Sequence, residues 1–206
     1  GIASRNAGII ENCYNYGELY CGSNDCRVGG IAGEATAGSL IKNCINNGSV
    51  TGGMYVGGIA GYSSDGGIDK CENTAKITGK TNVGGICARM TANYVSDCDN
   101  RGDIECTAAL PAKNSDHQNI AGICGYADKN SSINRCNNYG SLTGKNMEYI
   151  VGGITGHLNM SSVSGCVNYG DITGSNQGIN AAMRGYIGGI AGWAENLSSL
   201  SECTNL

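Results

Sequence analysis

Short apolar stretches alternate along the whole chain with polar turns rich in glycine and asparagine. Within residues 48–52, for example, Val50 stands between small or polar neighbours. This alternation is typical of a strand with one buried face. The 3.6-residue apolar period of an amphipathic helix is not seen in the sequence. The pattern therefore predicts short strands joined by turns.

The same order of apolar and polar positions returns throughout the sequence. One block reads G-G-I or a close variant after an aliphatic residue, and it starts at Val28, Val56, Val83, Ile120, Val151 and Ile187. A second block reads aliphatic-x-x-Cys-x-Asn-x-Gly-x-aliphatic, and its cysteines are Cys13, Cys44, Cys71, Cys98, Cys136, Cys166 and Cys203. These cysteines are 31, 27, 27, 38, 30 and 37 residues apart. The basic unit therefore has 27 residues, and we expect the longer units to carry insertions at one place, between the second block and the next G-G-I.

Five positions of each unit are occupied almost only by small apolar residues. Besides the cysteines they form four columns: Leu19, Val50, Ile77, Ile104, Leu142 and Ile172; Val28, Val56, Val83, Ile120, Val151 and Ile187; Ile31, Ile59, Ile86, Ile123, Ile154 and Ile190; Ile10, Ile41, Ile68, Val95, Ile133, Val163 and Leu200. One unit alone buries little of this surface, whereas units stacked at the strand spacing of about 4.8 Å exclude water from every column. The sequence predicts an all-β fold, a right-handed parallel β-solenoid of about seven rungs of 27 or more residues. We expect residues 1–206 to be one array with both ends inside a rung, so that further rungs of the parent chain are its neighbours.

Two polar columns accompany the apolar ones. The first is an asparagine column: Asn15, Asn46, Asn73, Asn100, Asn138, Asn168 and Asn205. Asparagine tolerates the left-handed backbone of a tight turn, and its amide can hydrogen-bond the same residue in neighbouring rungs. Two residues later stand Gly17, Gly48, Gly102, Gly140 and Gly170, with Ala75 as the exception. We expect a corner with positive φ at this position and mild strain at Ala75.

Composition and charge exclude some classes of binding partner but add little to the prediction of the fold. The chain has 35 glycines, one proline and 15% charged residues, and its net charge is -4 without a run of Lys or Arg. Nucleic acid and anionic membrane surfaces are therefore not expected partners. The sequence also lacks a stretch of about 18 apolar residues, so we expect no membrane-spanning helix.

The repeated blocks resemble the GLUG-type repeat, a Gly-aliphatic-small-Gly motif found in tandem in secreted and wall-attached proteins of bacteria. These include large adhesins and the non-catalytic parts of some immunoglobulin A peptidases. The motif reads VGGIAG at 28–33 and 56–61 and IGGIAG at 187–192. The resemblance implies an extracellular solenoid at the cell surface or cell wall, used as a stalk, a spacer or an adhesive surface for a host or cell-wall glycan or protein. The H-E-x-x-H motif of the peptidases does not occur in this sequence, so we expect no enzymatic activity.

The cysteine column has two interpretations. Cysteine is a small hydrophobe that fits an inward position, and a stack of thiols is also a candidate soft-metal or redox ladder. Equivalent Cβ atoms of stacked rungs lie about 4.8 Å apart, outside the range of about 3.5–4.5 Å that a disulfide prefers. We favour the packing role and expect the column to stay reduced. Cys21 and Cys26, five residues apart, are the pair best placed for a disulfide.

Charged residues offer two further candidates. Asp97, Asp99, Asp103 and Glu105 stand at alternate positions and could gather oxygen ligands for Ca²⁺, although a solvated polar face is the commoner meaning of such a pattern. We expect neither a metal nor a cofactor. A carbohydrate-active β-helix enzyme is the alternative function, and Lys76 next to Asp103 is the nearest approach to its catalytic pair.

An aromatic stripe gives the candidate binding site. The residues after the G-G-I blocks are Glu34, Tyr62, Arg89, Tyr126, His157 and Trp193, and tyrosines recur beside the asparagine column at Tyr16, Tyr139 and Tyr169. Exposed aromatic rows suit sugar rings or protein partners, whereas stacked rings can also serve only to stabilise turns. The binding candidates are Tyr62, Tyr126, His157, Trp193, Tyr139 and Tyr169. We expect the long insertions 106–119 and 175–186 to add Asp116, His117, Asn180 and Arg184 to the same edge.

Overall fold

The computed structural model describes residues 1–107, 118–145, 149–175 and 185–206. These residues form short β-strands and no helix, and every strand pairing is parallel. Accordingly, none of the described residues belongs to a helix long and apolar enough to cross a membrane.

The strands form five sheets, A to E, which the chain visits in that order in each rung. Sheet A contains Ala3–Asn6, Ala32–Ala35, Ala60–Ser64, Cys87–Thr91, Cys124–Asp128, Thr155–Asn159 and Ala191–Glu195. Sheet B contains Ile9–Glu11, Leu40–Lys42, Gly67–Asp69, Tyr94–Ser96, Ser132–Asn134, Ser162–Ser164 and Ser199–Ser201. Sheet C contains Tyr14–Asn15, Ile45–Asn46, Glu72–Asn73, Asp99–Asn100, Asn137–Asn138, Val167–Asn168 and Thr204–Asn205. Sheet D contains Leu19–Tyr20, Val50–Thr51, Ile77–Gly79, Ile104–Cys106, Leu142–Lys145 and Ile172–Ser175. Sheet E contains Arg27–Gly29, Tyr55–Gly57, Asn82–Gly84, Gln118–Ala121, Tyr149–Gly152 and Tyr186–Gly188.

Each strand pairs with the equivalent strand of the next rung, and the register joins the predicted columns. Ile77, for example, is the register partner of both Val50 and Ile104. In sheet E, Val56 pairs with Val83 in the same way. The prediction of a parallel β-solenoid of about seven rungs is confirmed.

The inward columns pack into two hydrophobic cores. The larger core contains the columns of Ile31, Ile10 and the cysteines, and the smaller one contains the columns of Val50 and Val56. Between them, the backbone of Gly30 lies so close to Asn46 that a Cβ at Gly30 would overlap the Asn46 side chain. The asparagine column therefore forms a narrow polar wall between two apolar cores.

The asparagines form the expected ladder. Each side-chain amide nitrogen donates to the side-chain oxygen of the next asparagine at 2.8 Å, from Asn15 through to Asn205. The same nitrogen also donates to a backbone carbonyl two residues on, as Asn46 does to Gly48 at 2.9 Å. Since the inner asparagines are buried, the ladder satisfies groups that water does not reach.

The corner geometry differs from the prediction. Positive φ does not occur at the asparagines of the column, at the glycines that follow them or at Ala75, so the expected strain at Ala75 is wrong. It occurs in the turn between sheets A and B, for example at Asp65 and Ala92, and directly before each column cysteine. The residues before the cysteines have φ between 49° and 61° and are Asn12, Asn43, Lys70, Asp97, Arg135, Gly165 and Glu202. The glycines after the asparagines are needed for space, because a Cβ at Gly102 would overlap the carbonyl oxygen of Ala75.

The prediction that all extra residues of the longer units lie at one place is confirmed for the long insertions. It is wrong for single-residue insertions. The long ones leave the solenoid between sheets D and E, for example between Tyr20 and Arg27. However, Ala32 and Leu40 are one residue further apart than their register partners Ala60 and Gly67, so the turn between sheets A and B also varies in length.

Candidate functional site

Sheets E and A meet at a sharp crease. A Cβ at Gly29 or Gly57 would overlap the carbonyl oxygen of Ala32 or Ala60, so the two strands approach more closely than a side chain permits. Glycine occupies this position in each rung except at Ala121. The close approach brings the outward side chains of the two sheets next to each other.

Two outward rows line the crease, and we call them together the crease surface. The row of sheet E is Arg27, Tyr55, Asn82, Asn119, Ile150 and Tyr186. The row of sheet A is Glu34, Tyr62, Arg89, Tyr126, His157 and Trp193. The rows touch across the crease, since Arg27 Nη1 lies 2.8 Å from Glu34 Oε1 and the Tyr186 ring lies 5.5 Å from that of Trp193. The predicted stripe is thus one continuous row in space, and its role in binding stays a prediction.

The rings of this row stack on one another along the solenoid. The Arg89 guanidinium lies 4.8 Å from the Tyr126 ring centroid. The centroids of Tyr126 and His157 are 4.7 Å apart, and those of His157 and Trp193 are 5.1 Å apart, with interplanar angles of 24° and 14°. Because their faces cover one another, Tyr126 and His157 offer edges and polar atoms to solvent, not ring faces. The His157 ring is also tied to Glu195, with Nε2 and Oε1 3.0 Å apart.

Tyr139 and Tyr169 belong to a second ladder, in the turn between sheets C and D. Their rings are parallel within 5° and 4.8 Å apart, and the Arg101 guanidinium lies 4.4 Å from the Tyr139 ring. Arg101 Nε donates to Glu72 at 2.6 Å. Within the described parts of the chain, no ring contact connects this ladder to the crease surface. The structure therefore divides the six aromatic candidates between two places.

One pair of charges on the crease surface was not recognised from the sequence. Arg89 Nη2 donates to Asp128 Oδ2 at 3.1 Å, and the Asp128 side chain is only 7% exposed. Arg89 also donates through Nη1 to the Tyr55 hydroxyl at 3.4 Å. The available signal was a carboxylate two residues after Tyr126, on the strand that pairs with the strand of Arg89.

Two of the four acidic candidates, Asp97 and Glu105, form ion pairs between rungs, whereas Asp99 pairs with Arg101 of its own rung at 3.3 Å. Asp97 accepts two hydrogen bonds from Arg135, at 2.8 and 2.7 Å, which lower the pKa of the Asp97 carboxyl. Lys145 and Lys76 each lie 2.6 Å from Glu105 and lower the pKa of that carboxyl. Among residues 1–107, 118–145, 149–175 and 185–206, no group of three or more His, Cys, Asp or Glu side chains is placed to hold a metal ion.

The proposed catalytic pair of Lys76 and Asp103 has a different arrangement from the one expected. The Lys76 amine lies against Glu105, whereas Asp103 Oδ1 accepts from the backbone amide of Ser141 at 3.0 Å. Each group thus has its own structural partner.

The cysteines behave as predicted. Cys21 and Cys26 form a disulfide, and the column cysteines remain thiols. Burial raises the pKa of Cys98 well above its ordinary value, and it does the same at Cys124 in sheet A. Hydrogen bonding to Cys44 and Cys98 lowers the pKa of Cys71 instead, so the column thiols do not share one direction of shift. All the column cysteines pack within or against the larger core, and packing is therefore the role that the structure supports.

The insertion residues Asp116, His117, Asn180 and Arg184 lie outside the described residues. The site is therefore defined here by the crease surface alone.

Comparison with known proteins identifies the repeat. Residues 24–51 and 52–78 each match the family model of the GLUG motif. The two matches are consecutive and fall on the first units of the array, so the chain contains GLUG repeats, as the sequence motifs indicated. No curated protein and no solved structure matches the chain.

Proposed function

We propose that this chain is a non-enzymatic, extracellular repeat module of a bacterial surface protein, an adhesive stalk whose crease surface binds a glycan of the host or of the cell wall. The observation that carries the proposal is the crease surface itself, two facing rows of aromatic, amide and charged side chains in register on consecutive rungs. The extracellular location is supported by the GLUG repeats.

The scaffold suits a binding surface because its outward positions are fixed. Each rung is joined to the next by parallel backbone pairing in all five sheets, so the two rows keep a constant spacing. A ligand that lies along the crease meets ring edges, hydroxyls and amides from several rungs. Long, hydroxyl-rich polymers such as glycans match this arrangement, because they present donors and acceptors at regular intervals.

A spacer without a ligand is the second candidate. It is favoured by the stacking of Tyr126, His157 and Trp193, since rings that cover each other stabilise neighbouring rungs without any partner. The carbohydrate-active enzyme is less well supported, because Lys76 and Asp103 have separate partners.

A glycan array that includes mucin glycans and cell-wall polysaccharides tests the proposal, with purified host-cell surface proteins as a second panel. We expect the chain to bind glycans, and Tyr126→Ala and Trp193→Ala to weaken the binding at least tenfold. Tyr139→Ala is the matched control, because Tyr139 is also a stacked ring but lies on the second ladder. Circular dichroism checks that each variant is folded. Binding to neither panel would support the spacer, and binding to proteins alone would replace the glycan with a protein partner.

A further inference from the structure

The crease surface contains a charge pair that is bonded differently from the others. At the exposed pair of Arg135 and Asp97, both Nε and Nη2 of the arginine donate to the carboxylate. Arg89 donates to Asp128 through Nη2 alone, so its Nε makes no hydrogen bond to this carboxylate. Burial lowers the pKa of Arg89, but hydrogen bonds to Tyr55 and Asp128 outweigh it and raise the pKa above its ordinary value. Arg89 is thus a charged donor whose buried Nε–H is not used by the described residues.

Three buried polar atoms, two of this pair and one of the neighbouring Thr91, lack hydrogen-bond partners. They are Arg89 Nε, Asp128 Oδ1 and Thr91 Oγ1, and none of them has a hydrogen bond within the part of the chain that the structure describes. Thr91 is the register partner of Asp128 on the neighbouring strand of sheet A. An unsatisfied buried polar group destabilises a fold, and such groups are few in folded proteins. Because the three atoms belong to neighbouring residues of two paired strands, they indicate one place where a ligand can supply the missing partners.

The chemistry of the three atoms selects the ligand. Arg89 Nε is a donor, Asp128 Oδ1 is an acceptor, and the Thr91 hydroxyl can be either. The arginine and the aspartate neutralise each other, so an anion would meet the carboxylate and a cation would meet the guanidinium. A neutral ligand with two neighbouring hydroxyl groups satisfies the set, because one hydroxyl accepts from Arg89 while the next donates to Asp128.

The surroundings agree with such a ligand. Across the crease, the amides of Asn82 and Asn119 are joined by a 2.8 Å hydrogen bond and are nearly buried. The Tyr126 ring lies beneath the Arg89 guanidinium. Amides, a hydroxyl and an aromatic ring beside a fixed donor and acceptor are the usual components of a small polar binding site.

We propose that Arg89, Thr91 and Asp128 form a subsite for a neutral sugar residue, which they bind through two adjacent hydroxyl groups. This subsite rests on the proposed glycan-binding function and assigns it to Arg89, which stacks on Tyr126, and to two polar residues beside it. The sugar hydroxyls supply the hydrogen bonds that these atoms lack once the partly exposed Arg89 side chain shifts, because each of the three atoms has almost no accessible surface in the chain alone.

Two conservative substitutions test the subsite. Thr91→Val removes the hydroxyl at nearly constant volume, and Arg89→Lys keeps the positive charge beside Asp128 but removes the Nε donor. Their matched controls are Ser64→Ala, at the position of Thr91 one rung earlier, and Arg135→Lys, in the exposed pair. Binding of the methyl glycosides of mannose, galactose, glucose and N-acetylglucosamine is measured by saturation-transfer NMR and calorimetry, together with any glycan that binds in the array.

We expect at least one neutral sugar to bind, and both Thr91→Val and Arg89→Lys to weaken it at least tenfold. Ser64→Ala and Arg135→Lys should remain within twofold of the unsubstituted chain. The melting temperature of Thr91→Val should be unchanged or higher, because the lost hydroxyl has no partner in the folded chain. A clear fall in that melting temperature would assign the hydroxyl a structural role and count against the subsite.

The two proposals fail in different ways. Neutral-sugar binding that is unaffected by Thr91→Val and Arg89→Lys overturns the subsite and leaves the glycan-binding function standing. Binding only to charged glycans, such as those ending in N-acetylneuraminic acid, has the same meaning. Absence of binding to every glycan overturns both.

Discussion

At the scale of single residues, the same residue type recurs at each inner position because its side chain contacts the equivalent side chain in the next rung. The amide of Asn46 shows this most clearly, since it donates to Gly48 and to Asn73 while its oxygen accepts from Asn15. A buried amide of this kind is fully bonded only when the rungs on both sides also carry asparagine. The ladder was predictable from sequence because asparagine fills this position in seven successive units, and stacking places each amide next to an identical one.

Replacement of one inner asparagine should therefore be costly. Asn73→Ala removes the hydrogen bonds to Ala75 and Asn100 and the one received from Asn46, all of them buried. We expect a loss of about 2–4 kcal/mol in the free energy of unfolding, measured by urea denaturation with circular dichroism. Asn47→Ala is the control, because Asn47 is exposed and should change stability by less than about 0.5 kcal/mol. Equal stability of the two variants would contradict a structural ladder.

At the scale of strands and turns, sequence reasoning placed the strands correctly but misjudged the corners. The position with positive φ before each column cysteine is occupied by Asn, Lys, Asp, Arg, Gly and Glu, so no single residue type marks it. The glycine column, which does stand out, reflects close packing of one turn against the next. A recurrent glycine has the same appearance in sequence whether it is needed for its backbone angle or for lack of a Cβ.

This distinction gives a test at the turn between sheets C and D. A Cβ at Gly102 would overlap the carbonyl oxygen of Ala75 in the adjacent rung, whereas a Cβ at Gly17 would meet only Asn15 Oδ1, at 3.7 Å. We expect Gly102→Ala to lower the free energy of unfolding by about 2–3 kcal/mol and Gly17→Ala to change it by less than about 1 kcal/mol. If both variants lost the same amount, backbone conformation and not space would be the reason for glycine in this column.

At the scale of the whole molecule, stacking made the fold predictable and the site only partly so. Repetition fixes which residues lie above one another, and the row from Tyr62 to Trp193 followed directly from it. It does not fix how sheets E and A meet, which depends on the close approach of Gly29 to the next strand. The contact of Arg89 with Asp128 and the unused atoms beside it could therefore be found only in three dimensions.

Stacking also predicts that the array can lose a whole rung and still fold. Deletion of residues 45–71 removes one 27-residue period and joins Cys44 to Glu72, so that every strand again pairs with its equivalent and the asparagine ladder is restored. Because stability in such arrays is a sum over neighbouring units, the variant should keep its strand-rich spectrum. Its melting temperature should fall by about 2–4 °C for each kcal/mol of interface lost. Its length, measured by small-angle X-ray scattering, should shrink by about 4.8 Å.

Deletion of residues 45–58 is the control, since it removes half a period, places unlike strands next to each other and should abolish cooperative unfolding. A 27-residue deletion that unfolds the chain as completely as the 14-residue one would show that the rungs are not interchangeable units.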